Sequence, residues 1–296
     1  MKRILFLFTA SLLFLACSND DNNGSENPQE LKIKKFSKVS VDLNGNPTGN
    51  STVYFFDENG RLSQKKEDEA NSDYTRIINY NYNQLGRLTE SVMIFEGVNG
   101  NRSLEYTYDS ENKLDFISES FDGGTPDIYF QLTHQPNKIS IEHRSPGFYT
   151  TLNYNSNILT SIHNEIDMGG FSTESLYYDA VNNIMKRPSI SNTRIYGEPD
   201  ILSEYTYQYD TKINPLHTSF NENHLDLLGQ YWFNLNYWKP FLSPNNFTGE
   251  VYTNSQFPED NYTLLKIFQY NTDGYPTSAV VKKDGTLIEE LTYEYY

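Results

Sequence analysis

The sequence predicts an all-β protein: a curved antiparallel β-meander built from tandem β-hairpin repeats, interrupted once by an aromatic-rich insertion with room for a short helix. Three observations predict it. A short phrase recurs along the chain with a large aromatic residue at a fixed place in most copies. Apolar and polar residues alternate within the phrase with a period of two, the period of a half-buried strand. Glycine and asparagine stand at fixed distances after the aromatic, where hairpin turns need them.

The chain begins MKRILFLFTASLLFLAC. Lys2 and Arg3 form a positive n-region. Ile4 to Leu15 is an apolar run too short to span a hydrocarbon core of roughly 30 Å, so residues 1–16 read as a signal peptide and not as a membrane helix. The run ends Phe14-Leu15-Ala16-Cys17, which is similar to a bacterial lipobox, with Phe14 where leucine is the commoner residue. Cys17 is the only cysteine. A lone cysteine in a secreted chain suggests an intermolecular disulfide or a reactive thiol. Its place directly after the apolar run favours lipid attachment, and several acyl chains there would hold the protein stably at a membrane. Residues 17–30 are polar and acidic and read as a solvated tether. They resemble the stretch after the lipidated cysteine of Bacteroidota lipoproteins, which implies export to the outer face of the outer membrane.

The net charge is −16. Removing residues 1–16 takes away Lys2 and Arg3 and no carboxylate, so 23 basic residues become 21 against 39 acidic ones, about −18. Such a chain repels nucleic acid and anionic lipid, whose recognition needs a basic patch. With no cysteine pair there is no disulfide framework, and the fold relies on burial.

The repeat starts with Phe56 of FDENGRL, Tyr82 of YNQLGRL, Tyr108 of YDSENKL and His134 of HQPNKI, each 26 residues after the last. Tyr154, Tyr178, Tyr209 and, after a gap, Tyr270 anchor further copies, and Tyr293 to Tyr296 repeats the opening of the unit. Two residues before each anchor stands another large apolar side chain, such as Tyr54, Tyr80, Tyr106 or Leu132. Tyrosine and threonine suit such pleated positions. Directly after the anchor, Asp57, Asn83, Asp109, Asp179 or Asn271 can bond the backbone ahead and start a turn. Gly60, Gly86, Asn112, Asn182 and Gly274 come four after the anchor, where a type I turn closes through a left-handed residue. Asn137 and Asn157 come three after theirs, which predicts a tighter turn. Leu62, Leu88, Leu114 and Ile184 restart the apolar face. The far ends of the hairpins carry Asn99-Gly100, Gly123-Gly124, Gly169-Gly170 and Asp284-Gly285.

The unit Tyr-x-Tyr-Asp-x-x-Gly-Arg-Leu resembles the YD repeats of RHS-type shells, and more closely the YD-repeat surface lipoproteins of unknown function in Bacteroidota. The resemblance covers roughly residues 50–296. RHS proteins carry many more repeats and enclose a toxin domain; with about eight repeats and no toxin segment, a toxin-delivery role is not implied here. Residues 31–296 are expected to form one β-domain, with its aromatic face curled inward because a flat layer would leave that face wet and its edges open.

The insertion is expected at about 217–257. It contains both tryptophans. Leu227, Leu228, Tyr231, Leu235 and Trp238 follow one another at spacings near three and four, which allows a short amphipathic helix weakened by Gly229 and ended by Pro240. Ser243-Pro244-Asn245-Asn246 reads as a turn back into strand. Two readings stand side by side. The insertion plugs the curved sheet, with Trp232 and Trp238 as core. Alternatively it presents Trp232, Trp238, Tyr231 and Tyr237 as an aromatic platform for a ligand such as a glycan.

Catalytic signatures are absent. The five histidines include no pair at i, i+4 and have no cysteine beside them, so no metal site is expected. There is no G-x-S-x-G, P-loop, G-x-G-x-x-G or EF-hand loop. No cofactor and no catalysis are expected. The sequence supports a lipid-anchored, surface-exposed binding or scaffold module whose partners are the membrane through Cys17 and an extracellular glycan or protein. The alternatives are a glycan-binding or glycan-active accessory protein of a polysaccharide uptake system and a purely structural envelope protein.

Overall fold

The structure is a computed structural model that describes residues 31–98, 100–166, 169–192, 199–221, 224–231 and 233–296. The expected signal peptide (1–16), Cys17, the expected tether (17–30) and Trp232 lie outside the described residues. Residues 31–296 form one compact unit.

The first half of the chain is a run of hairpins: β1 (Ile33–Val41), β2 (Pro47–Phe56), β3 (Leu62–Asp68), β4 (Thr75–Tyr82), β5 (Leu88–Glu96), β6 (Asn101–Tyr108), β7 (Leu114–Phe121), β8 (Asp127–Gln135) and β9 (Lys138–His143). It continues through β10 (Tyr149–Asn155), β11 (Ile158–Ile166), β12 (Gly170–Ser175), β13 (Tyr177–Tyr178), β14 (Ile184–Asn192) and β15 (Ile201–Ile213). Then come α1 (Pro215–Asn221), α2 (His224–Gln230) and a 3₁₀ helix over Leu235–Phe241. The chain finishes with β16 (Asn245–Asn254), β17 (Tyr262–Tyr270), β18 (Pro276–Lys283) and β19 (Thr286–Tyr295). Each strand pairs antiparallel with its neighbours, and β1 pairs with both β2 and β19. β13 prolongs β12 along β14, so the 19 strands occupy eighteen places in one ring. The expected curved meander is borne out and goes further, curling until it closes as a barrel. Closure removes the edges that a curved sheet would still expose.

The recurring phrase builds one end of this barrel, here the turn end. Asp57 Oδ1 accepts from the backbone N–H groups of Asn59 and Arg61, and Asn83, Asp109, Asp179 and Asn271 do the same in their turns. The residue three further on has positive φ: Gly60 81°, Gly86 78°, Asn112 61°, Asn182 67° and Gly274 83°. Asn137 and Asn157 close the shorter turns at 59° and 68°. The anchor hydroxyl explains why tyrosine and not phenylalanine usually stands there. Tyr82 Oη donates to the carbonyl of Leu62, Tyr108 to Leu88, Tyr178 to Leu159 and Tyr295 to Pro276. Each bond stitches one repeat to a residue at the start of an adjacent strand. His134 Nε2 bonds Leu114 O at 2.7 Å in the same place, so this histidine replaces a tyrosine without losing the link.

Side chains two residues before the anchors point inward and are buried, among them Tyr54, Tyr80, Tyr106, Leu132, Leu152 and Tyr207. An eighteen-place barrel has a lumen too wide for wall side chains alone to fill. The helical segment between β15 and β16 enters from the turn end and fills that half as a plug. Leu227, Leu228, Phe233, Leu235, Trp238 and Phe241 are all buried in it. The expected single helix is broken between Gln230 and Leu235, where Phe233 takes a φ of 56°, and Pro240 lies inside the 3₁₀ helix and does not end it. Gly229 lies against the wall at Ile117, and a Cβ there would collide with that side chain. The irregular stretch is also shorter than 217–257, because β16 resumes the barrel at Asn245.

The outward face is polar over much of the ring, with an apolar stretch on β15–β17 where Leu202, Val251, Leu265 and Ile267 are exposed. On β4 it carries Thr75, Asn79 and Asn81 with Ile77, on β6 Asn101, Ser103, Glu105 and Thr107, and on β19 Glu290, Thr292 and Glu294. These alternate with the buried Ile78, Tyr80, Leu104, Tyr106, Leu291 and Tyr293.

Candidate functional site

The plug fills only the turn half. Toward the opposite, open end the inward-facing positions become charged and polar. Inward alternation places Arg76 beyond Ile78 on β4, Arg102 beyond Leu104 on β6, Glu119 beyond Ile117 on β7 and Lys266 beyond Phe268 on β17. Most of these charges are neutralised in pairs, which is what lets them sit inside a protein wall. Lys65 Nζ lies 2.7 Å from Glu67 and donates to Tyr231 Oη of the plug at 2.8 Å. Arg102 Nε meets Glu119 at 2.5 Å. Lys239 of the plug lies 3.0 Å from Glu250, which also accepts from Tyr262 Oη at 2.7 Å.

Arg187, fully buried on β14, is the centre of this network. It is ion-paired to Glu174, donates to Tyr207 Oη at 2.9 Å and to Asn236 Oδ1 at 3.1 Å, and stacks over the Tyr205 ring at 5.0 Å. These contacts tie the plug to the wall. Tyr80 Oη to Gln230 and Tyr108 Oη to Asp226 do so on the far side. Burial pushes the Asp226 carboxyl up to about 6, against the lowering effect of Tyr108. Burial pulls the Lys266 ammonium down to about 7; among the described residues it has no carboxylate partner within ion-pair distance, and it lies 3.4 Å from the Phe247 ring centroid. Neither Arg187 nor Lys266 was legible as special in the sequence, because nothing local marks an inward-facing cation on a strand.

A cavity of about 520 Å³ opens in the lumen between the plug and the wall. Its wall side comes from β11, β12, β14, β15 and β16, and its floor from Tyr231, Phe233, Asn234, Asn236 and Tyr237. Tyr231 and Tyr237 stack face to face, with centroids 4.4 Å apart and planes at 14°. Tyr237 is 52% exposed. On the wall Tyr205 and Tyr252 lie 4.7 Å apart. A hollow of similar size, about 550 Å³, lies at the turn end against Leu225, but it is lined mainly by the hairpin turns at Lys113 and Gln135 to Ile139 and brings no comparable set of side chains together.

The four insertion aromatics therefore separate. Tyr231 and Tyr237 line the cavity. Trp238 is 1% exposed and packs against Phe220, Tyr231 and Phe241, so it belongs to the core and offers no ligand-facing surface. Trp232 is outside the described residues. Among the described residues no three His, Cys, Asp or Glu side chains come together as a metal site.

No protein-family model matches the chain, and neither does any curated protein. Among solved structures, the chain is similar to a porin-like protein from Bacteroides uniformis at 14% identity and a TM-score of 0.43, covering 89% of this chain and 96% of that one. A porin-like protein from Bacteroides vulgatus gives 9% identity and a TM-score of 0.39, covering 90% of this chain and 99% of that one. A TcdB2-TccC3-TEV structure gives 12% identity and a TM-score of 0.29, covering 78% of this chain but 14% of that one. At these values the likeness carries no argument about this chain.

Proposed function

We propose that this chain is a lipid-anchored binding module of the outer membrane, akin to the YD-repeat surface lipoproteins, whose barrel stands in water and does not span the bilayer. The polarity of the outward face carries the reading. A membrane-spanning barrel turns an apolar band about 25 Å tall toward lipid and keeps a polar interior. Here Asn79, Asn81, Ser103, Glu105, Glu290 and Glu294 face outward, the exposed Leu202, Val251, Leu265 and Ile267 are confined to β15–β17 and form no band around the ring, and tyrosines and leucines fill the turn half of the lumen. Such a wall in hydrocarbon would leave many polar side chains unsatisfied. The membrane attachment then falls to Cys17, and the open end of the lumen supplies the binding surface.

Detergent phase partitioning tests this. The native chain is expected in the detergent phase and to incorporate a clickable fatty acid at Cys17. The same chain with residues 1–17 replaced by a conventionally cleaved signal peptide is expected in the aqueous phase. Retention of that unlipidated protein in the membrane would sink the proposal.

A further inference from the structure

The lumen cavity has a chemistry that selects its ligand. Its aromatic floor is rigid: Tyr237 rests on Tyr231, and Tyr231 is held by Lys65. Its remaining polar lining is Glu174, which is paired with Arg187, and a set of short neutral groups. The hydroxyls of Ser189 and Ser203 and the side-chain amide nitrogens of Asn234 and Asn236 have no hydrogen-bond partner among the described residues, although they line the cavity. Hydroxyls both donate and accept and amides carry both kinds of atom, so the set is matched to a ligand that also does both at many points. The nearby charges are spent on one another. Arg187 is held by Glu174, Tyr207 and Asn236, and Lys239 by Glu250. An anionic ligand would be desolvated with no cation in the cavity lining to meet it, since the unpaired Lys266 is not part of that lining, and a cationic one would find Glu174 already paired. The volume lies in the range of about 300–1,000 Å³ that small-molecule sites occupy.

We infer that the open-end cavity binds a neutral saccharide of one to two sugar rings, with one ring face stacked on Tyr237 and its hydroxyls bonded to Ser189, Ser203, Asn234 and Asn236. A pyranose has an apolar face of C–H groups that meets an aromatic ring and an equatorial rim of hydroxyls that meets amides and serines. This inference rests on the reading of the barrel as a binding module. A failure here leaves the partitioning result untouched, so the two can fail separately.

The test uses the full lipidated chain in a micelle of lauryldimethylamine oxide, since a glycoside detergent would compete. Saturation-transfer NMR and calorimetry are run with glucose, cellobiose, maltose, mannobiose and xylobiose, and with glucuronic acid and glucose 6-phosphate as charged comparators. At least one neutral sugar is expected to bind, and its charged counterpart more weakly. Tyr237→Ala is expected to weaken binding about tenfold and Tyr237→Phe to leave it within about threefold, because the ring face is the contact. Tyr237 is half exposed at the plug surface, so both variants are expected to fold, and unchanged circular dichroism checks that. Tyr177→Ala, on an exposed ring outside the cavity, is expected to change nothing. No transfer to any neutral sugar at millimolar concentration, tighter binding of the charged sugars, or binding indifferent to Tyr237→Ala would each overturn the inference.

Discussion

The two ends of the barrel are made from the same strands and behave as different materials. In the turn half, inward positions are aromatic or aliphatic and close on the plug around Trp238, Phe220 and Phe241. In the open half, the same inward face a few residues further along carries Arg76, Arg102, Glu174, Arg187, Glu250 and Lys266. The first half holds the fold by burial. The second holds it by paired charges and leaves a cavity. The contrast teaches that a strand's inward alternation says only that a residue faces the lumen; whether the lumen there is dry or wet depends on how far the plug reaches.

That comparison can be broken or sharpened in order of effect. Trp238→Ala, in the dry half, is expected to cost about 3–5 kcal/mol, as loss of a buried large aromatic does, measured by urea unfolding. Trp238→Phe should cost much less, since it keeps a ring and deletes an indole N–H that has no acceptor. If Trp238→Ala were nearly neutral, the plug would not be core.

Arg187→Leu, in the wet half, is expected to cost roughly 1–3 kcal/mol because the partly buried Glu174, Tyr207 Oη and Asn236 Oδ1 all lose their donor. Replacing both Arg187 and Glu174 by leucine should recover most of the loss. Recovery would show that the pair is tolerated and not a net source of stability, whereas an additive loss would make it one.

The two halves should also differ in sign with pH. In the dry half Asp226 sits at about 6 in the folded chain against 3.8 when exposed, chiefly through burial. The folded state holds that proton more tightly, so this contribution favours folding below pH 3.8 and is lost as pH rises through 6. Asp226→Asn is therefore expected to stabilise the protein at pH 7.5, on the order of 2–3 kcal/mol, and to be neutral at pH 3.8. In the wet half Lys266 sits at about 7 against 10.5, again chiefly through burial, so its penalty is full below pH 7 and is relieved as pH rises to 10.5. Lys266→Met should flatten the stability curve across that window. Melting curves from pH 4 to 10 on both variants check the opposite slopes, and parallel slopes would contradict them.

The smallest effect belongs to the stitching at the turn end. Tyr82→Phe keeps the ring and removes the bond to the Leu62 carbonyl, and is expected to cost about 1 kcal/mol by urea unfolding. His134→Phe should cost a similar amount, as both lose the same link to a neighbouring repeat.

What the sequence determined by itself is whatever is local. The period-two alternation and the turn residues at Asp57, Gly60, Asn112 and Gly274 are short-range: a strand needs one face, and a left-handed turn position needs glycine or asparagine. From these follow the hairpins, their registers and which face of each strand is apolar. The helical character of 215–241 was partly legible from its spacing, but its break at Phe233 was not, because that break comes from fitting the segment to a wall it meets only after folding. Closure was decided by tertiary structure alone. β1 meets β19 across the whole length of the chain, and no property of either strand announces that partner. The cavity was likewise invisible, since Ser189, Ser203, Asn236 and Tyr237 come from separate strands and from the plug. The physical reason is the same in both cases: hydrogen-bond registers and turn dihedrals are fixed by neighbours in sequence, while the lumen is a space, and a space exists only once the wall has closed around the segment that half fills it.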